Sequence, residues 1–259
     1  MKKIIISIFT LTGVLLYSAC SPNKPALFEQ KTGIYFGAAS DSLNYSFAKY
    51  PKRTTDTLKI PVNVLGDPAA SEKTFTVEGT LPAAGTPAIE GVHYKLLNPY
   101  TMPAGKLTTT IPVVIYRTPG MDTTVFSFNV KLQPTEDFET AMTTKASYTI
   151  NLAYLQKPAK WGALNEQVYW AGNVLNFGTW TKTKYKLILD ALYDPVNDTT
   201  VTEFPFGYGT NAPTIAAQYL QLVKNYITIN YPGNVGPSGA KLTDPDANNQ
   251  VIQVGKANY

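Results

Sequence analysis

From Gly33 onward the chain alternates apolar and polar positions with period two. Leu43, Tyr45 and Phe47 are separated by polar neighbours, and so are Leu58, Ile60, Val62 and Val64. Phe75 and Val77 follow, then the run Leu107, Thr109, Ile111, Val113 and Ile115. Phe126, Phe128, Val130 and Leu132 form another, and Tyr148, Ile150 and Leu152 the last. Alternation sends one set of side chains to a buried face and the other to solvent. With Gly33–Phe36 and Tyr94–Leu97 added, the pattern predicts about eight short strands over roughly 125 residues, divided by turns such as Leu65-Gly66-Asp67-Pro68. Spacing of this kind predicts an antiparallel β-sandwich.

Pro158 marks a change of period. Tyr185, Ile188, Leu189 and Leu192 fall at i, i+3, i+4 and i+7, with Thr181 or Thr183 placed to cap the start of a helix. Ile215, Tyr219, Leu222, Val223 and Tyr226 repeat that spacing after Pro213-Thr214. The segment Asp194–Asn211 between them is rich in Gly, Pro and Asn and predicts a long loop, with a short strand at Thr200–Phe204. Tyr231–Ser238 predicts turns, and Val251–Val254 a terminal strand. The expected fold is therefore mainly β with a smaller α-rich part: an immunoglobulin-like antiparallel sandwich over residues 31–155, then a small, largely helical domain over 156–259. The Cys-Trp-Cys core of antibody domains is absent, so the inference concerns architecture alone.

The first 19 residues follow different rules. Lys2 and Lys3 precede an apolar run from Ile4 to Leu16, which breaks at Tyr17-Ser18-Ala19-Cys20. That is the layout of a secretory leader, and the run falls short of the roughly 20 apolar residues a membrane span needs. Ser18-Ala19-Cys20 resembles a bacterial lipobox, with Tyr17 at the position usually held by leucine. The resemblance implies cleavage before Cys20, acylation of its sulfur and a lipidated tether over residues 20–30. Ser21-Pro22-Asn23-Lys24 has no acidic residue before Glu29, so the face of the outer membrane is left open.

Composition narrows the function classes. The formal charge of +4 falls to +2 once Lys2 and Lys3 leave with the leader, 20 basic against 18 acidic side chains. No concentrated basic face is evident, which argues against nucleic acid as a partner. Cys20 is the single cysteine, so a lipidated chain keeps no thiol for a disulfide, a nucleophile or a metal.

Several dispersed pieces resemble one family. They are the lipobox at Cys20, Gly33-Ile34-Tyr35-Phe36 with Asp41-Ser42-Leu43-Asn44-Tyr45-Ser46-Phe47, and Glu90-Gly91-Val92-His93-Tyr94. Pro103-Ala104-Gly105, Val113-Val114-Ile115-Tyr116-Arg117 and Glu136-Asp137-Phe138 follow. Lys157-Pro158-Ala159-Lys160-Trp161-Gly162 and Thr181–Leu187 complete the set. In order and spacing they are similar to a Bacteroidetes lipoprotein family defined by a domain of unknown function, number 4843. The resemblance implies an accessory lipoprotein encoded beside a paired outer-membrane import system for polysaccharides. The family's acidic turn near the C-terminus is Asp244-Pro245-Asp246-Ala247-Asn248 here. More loosely, Gly91-Val92-His93-Tyr94, Met102-Pro103-Ala104-Gly105 and the following strand resemble the Calx-beta sandwich, whose calcium carboxylates this chain lacks.

Candidate chemistry is sparse. His93 is the one histidine, and there is no Gly-x-Ser-x-Gly elbow, so neither a two-histidine metal site nor a serine triad is expected. Glu136, Asp137 and Glu139 cluster after a strand, where a solvated acidic corner is expected over a glycosidase pair. Asp244, Asp246 and Asn248 start like a calcium loop, but Asn249 and Gly255 stand where glycine and glutamate are needed, so a plain turn is expected and no metal or cofactor.

Aromatic residues carry the best candidate. Trp161, Trp170 and Trp180 fall within about twenty residues, with Tyr169 beside one of them, and a flat amphipathic ring suits the apolar CH face of a sugar. For Trp161 the expectation leans toward a structural role that seals the helical part. The sequence therefore predicts an outer-membrane lipoprotein, not an enzyme, held by Cys20. It is expected to bind glycan through Trp170, Trp180, Tyr169 and Trp161, or to be the accessory component of polysaccharide uptake that the resemblance implies. The alternatives are an interaction module that docks on the import complex without touching sugar and, behind it, a glycoside hydrolase using an acid such as Glu136.

Overall fold

A computed structural model describes residues 32–158, 161, 177–202 and 212–255, and among these described residues it holds thirteen strands and two α-helices. One sheet orders β10 (Glu139–Thr140), β1 (Gly33–Phe36), β3 (Thr55–Leu65), β8 (Thr108–Tyr116) and β6 (Tyr94–Leu96). The second orders β2 (Ser42–Ser46), β11 (Ser147–Ala153), β9 (Phe126–Gln133), β4 (Lys73–Thr80) and β7 (Tyr100–Met102), with β5 (Thr86–Pro87) beside β9. The expected alternation sets the register. Leu58, Ile60 and Val62 of β3 lie opposite Val113, Ile111 and Thr109 of β8, and all of these but Thr109 are buried. The two buried faces meet where Phe36 packs on Tyr148 at 5.7 Å and where the Tyr94 ring stacks on Phe128 at 3.7 Å.

Most pairings are antiparallel, but β1·β10, β2·β11 and β5·β9 are parallel. The chain between β1 and β2 crosses from one sheet to the other, so β2 runs alongside β11 rather than against it. Such an edge costs little, because parallel pairing is only slightly weaker per residue.

After β11 the texture changes as expected. Helix α1 (Lys182–Ala191) starts at the Thr181 cap, and α2 (Ala212–Asn230) follows. The chain then forms a two-stranded hairpin of β12 (Thr243–Asp244) and β13 (Gln250–Val251). The expected strand at Thr200–Phe204 is not formed over 200–202, and the rest of it lies outside the described residues. Buried residues from either side of the expected 155/156 boundary share one apolar cluster, in which Leu152 and Leu155 join Trp161, Phe177, Ile188 and Ile252. Polar ties reinforce it: the Thr200 N–H donates to Lys49 O at 2.9 Å, and Arg53 Nε donates to Asp198 at 2.8 Å.

Candidate functional site

The start of α1 organises the site. Gly178 has a φ of +74°, which glycine adopts without a Cβ penalty. The indole N–H of Trp161 donates to the Gly178 carbonyl at 3.1 Å. Trp161 is 3% exposed, lies 5.8 Å from the stacked Phe177 ring and meets Tyr185 edge-on. The indole is thus committed to the core, and its place is structural. Two residues after Gly178, Trp180 is only partly buried, with its ring 6.5 Å from that of Tyr185. Its indole N–H is buried and finds no hydrogen-bond partner among the described residues.

Beside Trp180 opens a cleft of about 420 Å³, within the size range of small-ligand sites. Its floor is ionic. Lys184 and Asp244 both have no exposed surface. Burial pushes the Lys184 ammonium down to about 8, and the nearby Asp244 charge pulls the other way. The ammonium donates to the Thr179 carbonyl at 3.0 Å. Asp244 accepts from the Thr181 hydroxyl and from the Asp246 N–H at 3.0 Å, so its carboxylate also fastens the β12–β13 hairpin to the helix. The rim carries Lys182, Asp246 and Gln250. Asp246 and Gln250 are exposed. The side chains of all three make no hydrogen bond or ion pair to the described residues.

Two further hollows are differently furnished. One of about 360 Å³ sits at a sandwich end between Asp41 and Lys145, where the ring of Tyr148 is buried. Another, of about 430 Å³, runs along α2 past Lys224, Ile227 and Val254, and no aromatic lines it among the described residues. Of these three hollows, the Trp180 cleft is the one that combines a partly exposed ring with polar side chains that bond to no described residue.

Of the residues predicted from sequence, Trp180 lies at this cleft and Trp161 lies beneath it in the core. Tyr169, Trp170 and Cys20 lie outside the described residues. His93 is buried, stacks on Phe126 at 4.2 Å and accepts the Ile89 N–H at Nδ1, an arrangement that fixes a turn; burial lowers its pKa. In the acidic cluster, Asp137 is paired with Lys73 at 2.7 Å, and that ammonium holds its carboxyl below the usual range. Asp244 caps a short 3-10 turn, and Asn248 and Asn249 adopt positive φ. Among the described residues no three His, Cys, Asp or Glu side chains are grouped as metal ligands. Sequence reasoning missed Lys184, Asp246 and Gln250 as site residues. For Lys184 a signal existed, since it lies four residues before Ile188 on the apolar stripe of the helix.

Comparison with known proteins sets this geometry in context. The profile of a family described as Domain of unknown function (DUF4843) matches residues 27–193, more than half of the chain. The chain belongs to this family. The DUF4843 match takes in Trp180 and Lys184 but stops short of Asp246 and Gln250. No curated protein matches the chain.

Among solved structures, a Bacteroides ovatus protein labelled a candidate carbohydrate-binding protein is 12% identical, with a TM-score of 0.36 over 47% of this chain and 36% of its own. A two-domain Bacteroides fragilis protein of unknown function is 16% identical, with a TM-score of 0.39 over 48% and 46%. An endo-glycosidase of Bacteroides thetaiotaomicron is 10% identical, with a TM-score of 0.37 over 47% and 31%. The chain spans less than half the length of each of these structures.

Proposed function

We propose that this chain is a lipid-anchored, non-enzymatic glycan-binding protein of the outer membrane, serving a polysaccharide-uptake system. The observation that carries the reading is the partly exposed Trp180 ring beside a cleft whose rim side chains Lys182, Asp246 and Gln250 bond to no described residue. A pyranose ring laid on the indole covers its apolar face, while its hydroxyls exchange water for the rim groups. Cys20 is proposed to hold the chain on the membrane.

Calorimetry of the protein against plant and host polysaccharides tests the binding. Heat is expected from at least one, with Trp180→Ala weakening it about tenfold or more, as for aromatic anchors elsewhere, and no reducing ends released. Silence across the panel would reject the reading. The anchor has its own test: Cys20→Ala should move the protein from the membrane to the soluble fraction, because several acyl chains hold stably where one does not.

A second reading, docking on a membrane complex without glycan contact, is favoured by α2. Leu222 and Ile229, seven residues apart on one helix face, are 51% and 77% exposed. It predicts a stable protein partner in membrane extracts that is indifferent to Trp180→Ala.

A further inference from the structure

Charge in the Trp180 cleft is balanced at two levels. Among the lining residues, the buried Lys184 is offset by the buried Asp244, which acts on it from outside the lining. At the rim, Lys182 is matched by Asp246. Counted over the described residues, with Asp244 included, the charges at the cleft cancel, which gives no advantage to a uronate or sulfate group, and the exposed carboxylate of Asp246 opposes one. What the rim offers is a mixed set: an ammonium that can only donate, a carboxylate that can only accept, and the Gln250 amide that does both. Sugar hydroxyls also do both, so a neutral, polyhydroxylated ring satisfies this set without leaving a charge unpaired.

The rim also divides along the chain. Trp180 and Lys182 lie within the DUF4843 match, whereas Asp246 and Gln250 lie on the hairpin beyond residue 193. The hairpin is pinned to α1 through Asp244 and Thr181, so the backbone that carries its two rim groups is tied to the helix that follows Trp180.

Resting on the glycan reading of this cleft, we infer that its ligand is a neutral saccharide, with Trp180 as the common platform and Asp246 and Gln250 on the hairpin as the residues that select among sugars. Asp246 accepts from a pair of neighbouring hydroxyls, and Gln250 fixes which pair is presented.

Calorimetry on the full chain in detergent tests this with starch, mannan, xylan and mixed-linkage β-glucan as neutral probes, and polygalacturonate and chondroitin sulfate as acidic ones. Binding is expected from at least one neutral polymer, with affinity changing less than about twofold between about 20 and about 300 mM salt, since screening acts on charge pairs. Asp246→Asn and Gln250→Ala should each weaken that binding about tenfold or shift it to a different neutral polymer, with an unchanged circular-dichroism spectrum, as both side chains are exposed and bond to no described residue. Binding of the acidic polymers alone, a steep loss with salt, or indifference to both substitutions would overturn the inference while leaving glycan binding in place. No heat from any of the six probes would instead remove the glycan reading itself.

Discussion

Lys184 is a lysine with no exposed surface, set four residues before Ile188 on the buried side of α1. Burial lowers its pKa from 10.5 to about 8, against the opposing pull of Asp244. The unfolded chain keeps this proton up to about pH 10.5, so between the two values it binds more protons than the folded chain. Stability from this group therefore rises with pH across that window, and below about pH 8 the full cost of a buried charge remains. Relative to Lys184→Met, the wild type is expected to gain about 2 kcal/mol between about pH 7 and about pH 9.5. Urea unfolding of both proteins at several pH values measures it, and a flat difference would show that no proton is released there. In the sequence the residue belongs to an alternating run with Lys182 and Lys186. Its register against Tyr185, Ile188 and Leu189 was the stronger signal, because a charge on an apolar stripe must be paired or neutralised.

Helix α1 depends on one hydroxyl. Thr181 accepts the Lys184 N–H at 3.2 Å as N-cap and donates to the buried Asp244 carboxylate. Thr181→Ala removes the cap and strips a partner from a buried charge, so a loss of about 2–4 kcal/mol is expected. Thr181→Ser should restore most of it, and denaturant melts of the three proteins distinguish a hydroxyl effect from lost packing. The helix itself was legible, because its apolar spacing and capping threonine agree. So were the long strands, whose alternation runs over enough positions to fix a period. The pairs at β5, β7 and β10 were not, since two or three residues carry no periodicity. Nor was the parallel course of β2, because side-chain alternation is blind to strand direction. The bond from Thr181 to Asp244 joins positions 63 residues apart, so the turn at Asp244-Pro245-Asp246 showed local turn chemistry and nothing of its partner. Trp161 and Trp180 look alike in composition, and only the packing of Phe177 and Tyr185 separates a core anchor from a cleft wall.

Across the molecule, Arg53 ties the sandwich to the segment that follows α1. Its guanidinium donates to Asp198 at 2.8 Å and to Asp56 at 3.0 Å, and lies 4.1 Å from the centre of the Tyr50 ring. Each acid has a second partner: the Tyr45 hydroxyl donates to Asp56 at 2.5 Å, and that of Tyr193 to Asp198 at 3.0 Å. Burial works against ionising Asp56, yet bonds from Tyr45, the Thr57 N–H and Arg53 hold its carboxyl below the usual range. Arg53 and then Tyr193 do the same for Asp198. Because both folded values lie below 3.8, the stability these acids contribute is present above that pH and is lost as pH falls through the folded values. The Arg53 and Asp198 side chains are 37% and 39% exposed, which limits the gain and makes it sensitive to salt. Arg53→Met should therefore lower the unfolding midpoint by an amount that is constant from about pH 8 to about pH 5, shrinks below about pH 4, and shrinks again in about 1 M salt. Thermal melts of wild type and variant across that grid provide the measurement. If the difference persisted unchanged at low pH and high salt, the join would rest on the stacking of Arg53 over Tyr50 and on the Thr200–Lys49 backbone bond rather than on its ion pairs.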